Sequence, residues 1–280
     1  MTTPRVTVSG LGDEISADPA EQLSVLAELG IHHLDLRGAW DRNILDFTAE
    51  DVSTLKALLA ERGAHVSVIA SPVGKSQITE TPGYEAARLQ TAIRLAHEFE
   101  TPLIRMFSFY HEGVTHEKCR DEIINRLGSW ARTAEQAGVT LLLENEGDLW
   151  TDRPERCLDM LEAVNSPALR MTLDAGNFAG LGVASADVAY SMLQSWISHI
   201  QIKDVVTATR KTVPAGQGDG QVSQLLAAAL RDGYSGYLSL EPHLAVAGKA
   251  GGFSGAGLFG EAARALEAIL ATPQVSEAAS

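Results

Sequence analysis

The sequence predicts one α/β domain, a single (β/α)8 TIM barrel, on three observations. Eight short runs rich in β-branched and large apolar residues alternate with stretches of helical periodicity. Successive runs start roughly 26 to 40 residues apart, about one βα unit each. The first strand–helix junction, Gly10-Leu11-Gly12-Asp13-Glu14, does not complete the GxGxxG turn that an open doubly wound sheet would place there. Strict alternation repeated eight times therefore reads as a parallel sheet closed on itself. The length of 280 residues suits one such barrel, with a single domain over 1–280 and a frayed tail at Thr272–Ser280.

The elements follow in order. The first strand is Arg5–Gly10, followed by a helix over Pro19–Leu29 whose Leu23, Leu26, Ala27 and Leu29 share a face. The second strand, Ile31–Arg37, leads to a helix over Ala49–Arg62 with Thr48 as N-cap and Gly63 as C-cap. His65–Ala70 precedes the helix Tyr84–His97, and Leu103–Phe107 precedes Glu117–Ala137, which Gly138 ends. Val139–Glu144 pairs with the helix Pro154–Val164, and Leu169–Asp174 with a shorter one over Ser185–Gln194. Ile197–Lys203 precedes Val222–Arg231, and Tyr237–Glu241 precedes Leu258–Leu270. The glycine-rich Gly248–Gly257 joins the last strand to the last helix, which makes it a candidate active-site loop.

Composition narrows the function. Hydrophobic residues make up 45% and charged residues 21%, enough for a sizeable core and a wettable surface. A net charge of −14 repels phosphate backbones and anionic lipid, so neither nucleic acid nor a membrane surface is an expected partner. Cys119 and Cys157 form no Cys-x-x-Cys pair, which argues against a thiolate zinc site or a disulfide scaffold. No run of about eighteen apolar residues and no apolar signal core occurs, so the expected location is cytoplasmic.

In a barrel of this kind the C-terminal ends of the strands open into one mouth. The last four strands end with Glu144, Asp174, Gln201 and Glu241. A single strand-end acid is more often a solvated surface residue. Three that end apolar strands of one half-barrel would repel one another unless a cation sat between them. Three carboxylates and an amide oxygen make a hard cage that suits Mn²⁺ or Mg²⁺ better than Zn²⁺. Lys203 and His243 lie beside these positions and could bind a substrate oxygen or serve as strand-end ion pairs. Arg37 and Arg105 lie at the ends of the second and fourth strands, where each could clamp an anionic group. Their alternative is pairing with the acidic excess, for Arg37 with Asp35 or Asp41. His199 shares the face of Gln201 and reads as a satisfied core histidine, while His32 and His33 lie at the opposite end. Trp40, Phe107 and Phe253 read as packing or as walls for a substrate ring. Gly216-Gln217-Gly218-Asp219-Gly220 reads as a loop turn, with a phosphate cradle as its alternative.

On these residues the chain resembles the xylose isomerase-like barrel superfamily of sugar-phosphate isomerases and epimerases, from the Gly12-Asp13-Glu14 turn to the last helix. That group includes ketose 3-epimerases, inosose dehydratases and dehydroshikimate dehydratases. The resemblance implies that Glu144, Asp174, Gln201 and Glu241 hold one divalent ion, Mn²⁺ first, with Mg²⁺ or Co²⁺ as alternatives. It also implies that Glu144 and Glu241 form the acid–base pair. Three departures qualify it: Gln201 and Asn177 stand where many members carry histidine, and Glu146 replaces the histidine of Glu-Asn-His. They weaken an ordinary ketose 3-epimerase assignment and leave the metal site in place. The expected activity is a metal-dependent isomerase or epimerase that removes a proton beside a carbonyl through a metal-stabilised enediolate. Its substrate would be a polyol, ketose or cyclic hydroxyketone, bound by Lys203, His243, Arg105, Asn177 and Arg37. A dehydratase (lyase) is the alternative, slightly favoured by Gln201, and a non-catalytic binding barrel comes third. The endonuclease members fit worst, since they need a histidine-rich multi-zinc cluster and a basic groove. Relatives of this kind also imply a homo-oligomer.

Overall fold

A computed structural model describes residues 6–246 and 252–278. Part of the glycine-rich loop after the last strand, the start Met1–Arg5, and the last two residues lie outside this range. Among the described residues twelve strands occur: β1 (Thr7–Leu11), β2 (His33–Leu36), β3 (Gly38–Ala39), β4 (Arg42–Asn43), β5 (His65–Ala70) and β6 (Leu103–Met106) in the first half. The second half adds β7 (Thr140–Glu144), β8 (Leu169–Asp174), β9 (Ile197–Ile202), β10 (Asp204–Val206), β11 (Lys211–Val213) and β12 (Tyr237–Leu240). Eight of them close a parallel barrel in the order β1-β12-β9-β8-β7-β6-β5-β2. The other four are two antiparallel hairpins at the C-terminal ends of β2 and β9, β3–β4 and β10–β11.

The main helices are α1 (Pro19–Glu28), α2 (Ala49–Arg62), α3 (Pro82–Glu98), α4 (His116–Ala137) and α5 (Pro154–Val164). They start and stop for local reasons. Thr48 and Asp51 form a reciprocal capping box on α2, and Gly63 ends it with φ 61°. After β8 comes a six-residue helix, α6 (Ala175–Gly180), capped by Asp174 itself, whose Oδ1 accepts the Asn177 N–H at 2.8 Å. The segment predicted as one helix over Ser185–Gln194 instead combines a wide π-type turn (Ser185–Tyr190), the short α7 (Ser191–Leu193) and a 3-10 turn. The remaining helices are α8 (Val222–Arg231), α9 (Gly255–Leu270) and α10 (Pro273–Ser276). Over Pro273–Ser276 the expectation of a frayed tail is corrected by α10, because Val275 is fully buried where this turn packs on α8 and α9.

Period-two alternation sorts each barrel strand between two environments. On β9, Ile200 and Ile202 alternate with His199 and Gln201, and Gln201 lies in register with Asp174 on one side and Ser239 on the other. No helix among the described residues is long and apolar enough to cross a membrane.

Candidate metal and active site

The strand ends converge as barrel closure requires. One carboxylate oxygen from each of Glu144, Asp174 and Glu241 lies within 4.8 Å of the others, and all three side chains are buried. Gln201 lies in register with Asp174 on the neighbouring strand, and its Oε1 is buried with no hydrogen-bond partner. Above this floor opens a cavity of about 1190 Å³, lined by Glu144, Glu241 and the five residues predicted to grip substrate: Arg37, Arg105, Asn177, Lys203 and His243.

Cations interleave with the acids. Lys203 Nζ lies 2.6 Å from Asp174 Oδ2 and 3.5 Å from Glu241 Oε2. It passes over Gly176, where a Cβ would come within 2.6 Å of the lysine stem. Arg105 Nη1 is 3.3 Å from Glu144 and 3.7 Å from Glu241, and its Nη2 donates to the Ala70 carbonyl. Asn177 reaches Glu144 Oε1 at 3.4 Å and the Asn145 carbonyl at 2.9 Å. His243 Nε2 stands 3.0 Å from Glu14 and 3.4 Å from Glu241.

Arg37 has all three nitrogens engaged. They donate to Asp13 at 2.7 Å, Glu241 at 3.0 Å and the Gly252 carbonyl at 3.0 Å. It therefore fixes Glu241 and the following loop, and its partners are neither Asp35 nor Asp41. Asp35 is taken by His199, 3.2 Å away, and by Ser67.

The electrostatics follow from burial and neighbours. Burial, reinforced by the charges of Glu241 and Asp174, pushes the Glu144 carboxyl up to about 8, and Arg105 offsets only part of this. Burial raises Asp174 to about 6 against the pull of Lys203. Burial also opposes ionisation of Glu241, but Lys203, His243 and Arg105 outweigh it and hold that carboxyl well below its ordinary range. Burial would lower His243, yet its bonds to Glu14 and Glu241 leave it raised. Asp13, Glu14, Glu144, Asp174 and Glu241 face Arg37, Arg105, Lys203 and His243, so full ionisation leaves an excess of one negative charge, or two when the imidazole is neutral. That excess, the close carboxylates and the orphaned Gln201 oxygen fit a hard divalent cation.

Several features escaped the sequence reading. Glu14 is fully buried, and its Oε2 accepts from the His243 N–H and the Ser254 hydroxyl. Asp13 and Glu14 directly follow the first strand, so the strand-end logic applied to β7–β12 would have found them. Lys75 pairs with Glu146 at 2.8 Å across the cavity and lies over the Phe107 ring, a contact with no local signal. Phe107 and Phe253 do line the cavity, whereas Trp40 packs on Phe47 away from it. The glycine run 216–220 is an anion cradle already filled by Asp204. Gly216, Gly218 and Gly220 donate N–H groups to its carboxylate at 2.8, 3.0 and 2.8 Å.

A closed parallel barrel with an acidic cage at the C-terminal ends of its strands has the layout of a barrel enzyme. A family model described as "Xylose isomerase-like TIM barrel" matches residues 23–269, and the chain belongs to that family. Among curated relatives, the chain is 27% identical over 175 residues to a 2-epi-5-epi-valiolone 7-phosphate 2-epimerase from Actinoplanes sp., covering 62% of this chain and 63% of that one. It is 28% identical over 115 residues to a 3-dehydroshikimate dehydratase from Bacillus anthracis, covering 41% of each. Both matches thus span less than two thirds of the relative's length. A xylose isomerase-like TIM barrel protein from Mycobacterium smegmatis, solved in complex with magnesium, superposes with a TM-score of 0.73 at 19% identity. That match covers 98% of this chain and 97% of the other.

Proposed function

We propose that this chain is a divalent-metal-dependent isomerase or epimerase that moves a proton on a carbon beside a carbonyl. Its substrate would be a polyol, ketose or cyclic hydroxyketone. The observation that carries this reading is the convergence of Glu144, Asp174 and Glu241 to within 4.8 Å in a buried site at the floor of an open cavity. These three and Gln201 would hold the ion. Mn²⁺ is the first choice and Mg²⁺ or Co²⁺ suit the same oxygens, in line with the magnesium of the M. smegmatis barrel. When bound, such an ion polarises a carbonyl and offsets negative charge that develops on its oxygen.

The chain's own groups supply the proton chemistry. Glu144 and Glu241 approach the centre from different strands, so one can take the proton and the other return it from another direction. Lys203, His243 and Arg105 present N–H donors to substrate oxygens around the same point, and Asn177 orients Glu144. Arg37 keeps Glu241 in place. A relative named as an epimerase supports this reading.

A dehydratase is the second reading. Gln201, neutral where many members carry histidine, favours it, as does the relative named as a 3-dehydroshikimate dehydratase. The same proton abstraction would then expel a β-hydroxyl as water.

The deciding experiment is metal content by mass spectrometry on wild type and Glu144→Gln, followed by a deuterium-exchange screen of ketoses and cyclic hydroxyketones. About one ion per wild-type chain, lost in the variant, together with deuterium entering a substrate, is the expected result. A new conjugated-enone absorbance with loss of water would select the lyase. No ion retained after Mn²⁺ is supplied would overturn both readings.

A further inference from the structure

Barrels of this type normally fill their interior with layers of bulky branched side chains. Beneath the acidic cage this one is polar. Ser9, Asp35, Thr172, His199, Gln201 and Ser239 come from five barrel strands, and each is at most 2% exposed.

All but Asp35 fall into two rows. In the first, Asp174 lies opposite Gln201, Gln201 opposite Ser239, and Ser239 opposite Ser9. In the second, Glu144 lies opposite Thr172, Thr172 opposite His199, and His199 opposite Tyr237. Register partners on neighbouring parallel strands share a face. Both rows therefore look into the barrel, and each begins at a carboxylate of the cage.

Most of these polar atoms find no partner in the protein. Ser9 Oγ, Thr172 Oγ1, Ser239 Oγ and His199 Nδ1 are buried and unpartnered. Asp35 alone is well matched, by His199 and Ser67. Below His199 the Tyr237 ring stands 6.4 Å away, and Tyr237 in turn meets His33 at 5.3 Å, close to the exposed His65. The polar row thus runs from the floor of the cage toward the N-terminal end of the barrel.

We propose that this interior is a binding site for a cluster of internal waters, held by Ser9, Thr172, Ser239 and His199, that joins the cage floor to the His199–Asp35 pair. Buried polar groups are almost always hydrogen-bonded, and where side chains cannot reach one another ordered water does so. Each internal water makes about three hydrogen bonds. Hydroxyls and an imidazole nitrogen supply both donors and acceptors for them. The cluster gives the cage a polar contact that bypasses the mouth, and it would persist when a substrate fills the cavity.

Water relaxation dispersion, which reports waters held inside a protein, tests this on the Mg²⁺-loaded chain. Thr172→Val combined with Ser239→Ala should lose dispersion amplitude from long-lived waters while bound metal and melting temperature stay at wild-type levels. A crystal structure of the wild type should show water density within hydrogen-bond distance of Thr172 Oγ1 and Ser9 Oγ, and it decides the matter if the double variant fails to fold. Unchanged amplitude in a folded variant would overturn the proposal. So would a crystal structure in which these atoms bond to one another or to a monovalent cation.

Discussion

Asp174 and Asp204 are both buried acids near the C-terminal ends of neighbouring strand positions, yet their oxygens meet different partners. Asp204 is solvated by backbone: Val205, Gly216, Gly218 and Gly220 all donate N–H groups to it at 2.8 to 3.0 Å. Its neighbours are peptide dipoles, and the glycine run leaves no room for anything else, since a Cβ on Gly218 would stand 2.5 Å from its Oδ1. Asp174 shares one backbone N–H, but its other oxygen faces Lys203 and two further carboxylates. A carboxylate wrapped in backbone N–H groups is complete and holds a loop in place. A carboxylate opposed to its own kind is incomplete, and a cation relieves it. The difference separates a structural acid from a binding acid, although both are equally hidden from solvent.

The largest expected effect tests the binding side. Glu144→Gln should reduce solvent-deuterium exchange into substrate by about 10²-fold or more, the usual scale of a lost acid–base group. Without metal and near neutral pH the same variant should melt no lower than wild type, because glutamine mimics the protonated carboxyl that burial favours there. A large loss of metal-free stability would mean that Glu144 is structural after all.

Asp204→Ala should behave in the opposite way. It strands several buried N–H groups and should cost about 3 kcal/mol or more, read as a lower denaturation midpoint. Metal affinity measured on the folded fraction should hold. A variant as stable as wild type would show that the backbone cradle contributes nothing.

The pH dependence of the metal-free chain should follow from the raised carboxyls. Unfolded, Glu144 and Asp174 release their protons near the ordinary values of 4.5 and 3.8; folded, they keep them up to about 8 and about 6. Between those limits the native state binds more protons than the unfolded one, so stability falls as pH rises. Melting temperatures of the chelated protein should therefore drop from about pH 5 to about pH 8, and saturating Mg²⁺ or Mn²⁺ should remove much of that slope. A flat profile in chelator would contradict the buried, mutually repelling cage.

The smallest effect is steric. Gly218→Ala should destabilise by about 1–3 kcal/mol through its clash with the Asp204 carboxylate and the Val205 carbonyl, with no change in metal content. A neutral result in chemical denaturation would mean that the cradle yields easily.

Much of the fold was legible because its signals are local. Thr48 and Gly63 bracket α2 as read, and the eight barrel strands fall within a few residues of their predicted positions. Val275 was missed because a single apolar residue in a polar tail gives no periodicity, and its slot belongs to α8 and α9. In the site, Glu144, Asp174 and Glu241 were legible as strand ends. Glu14, just past the end of β1, was open to the same logic, but its contact with His243, 229 positions away, was not. Lys75 and Glu146 meet from separate loops, and the acceptor of the glycine run, Asp204, lies outside the run itself.

Periodicity, caps and the acid at the end of an apolar strand belong to single segments, so the linear chain already specified the barrel and three walls of the cage. Which cation faces which acid, that Arg37 serves Glu241 while Asp35 turns to His199, and that the cradle holds its own aspartate came from closing the barrel. Closure brings Arg37 and Glu241, 204 positions apart, to 3.0 Å. Electrostatic energy depends on such distances and on the exclusion of water around them, neither of which exists before the strands meet.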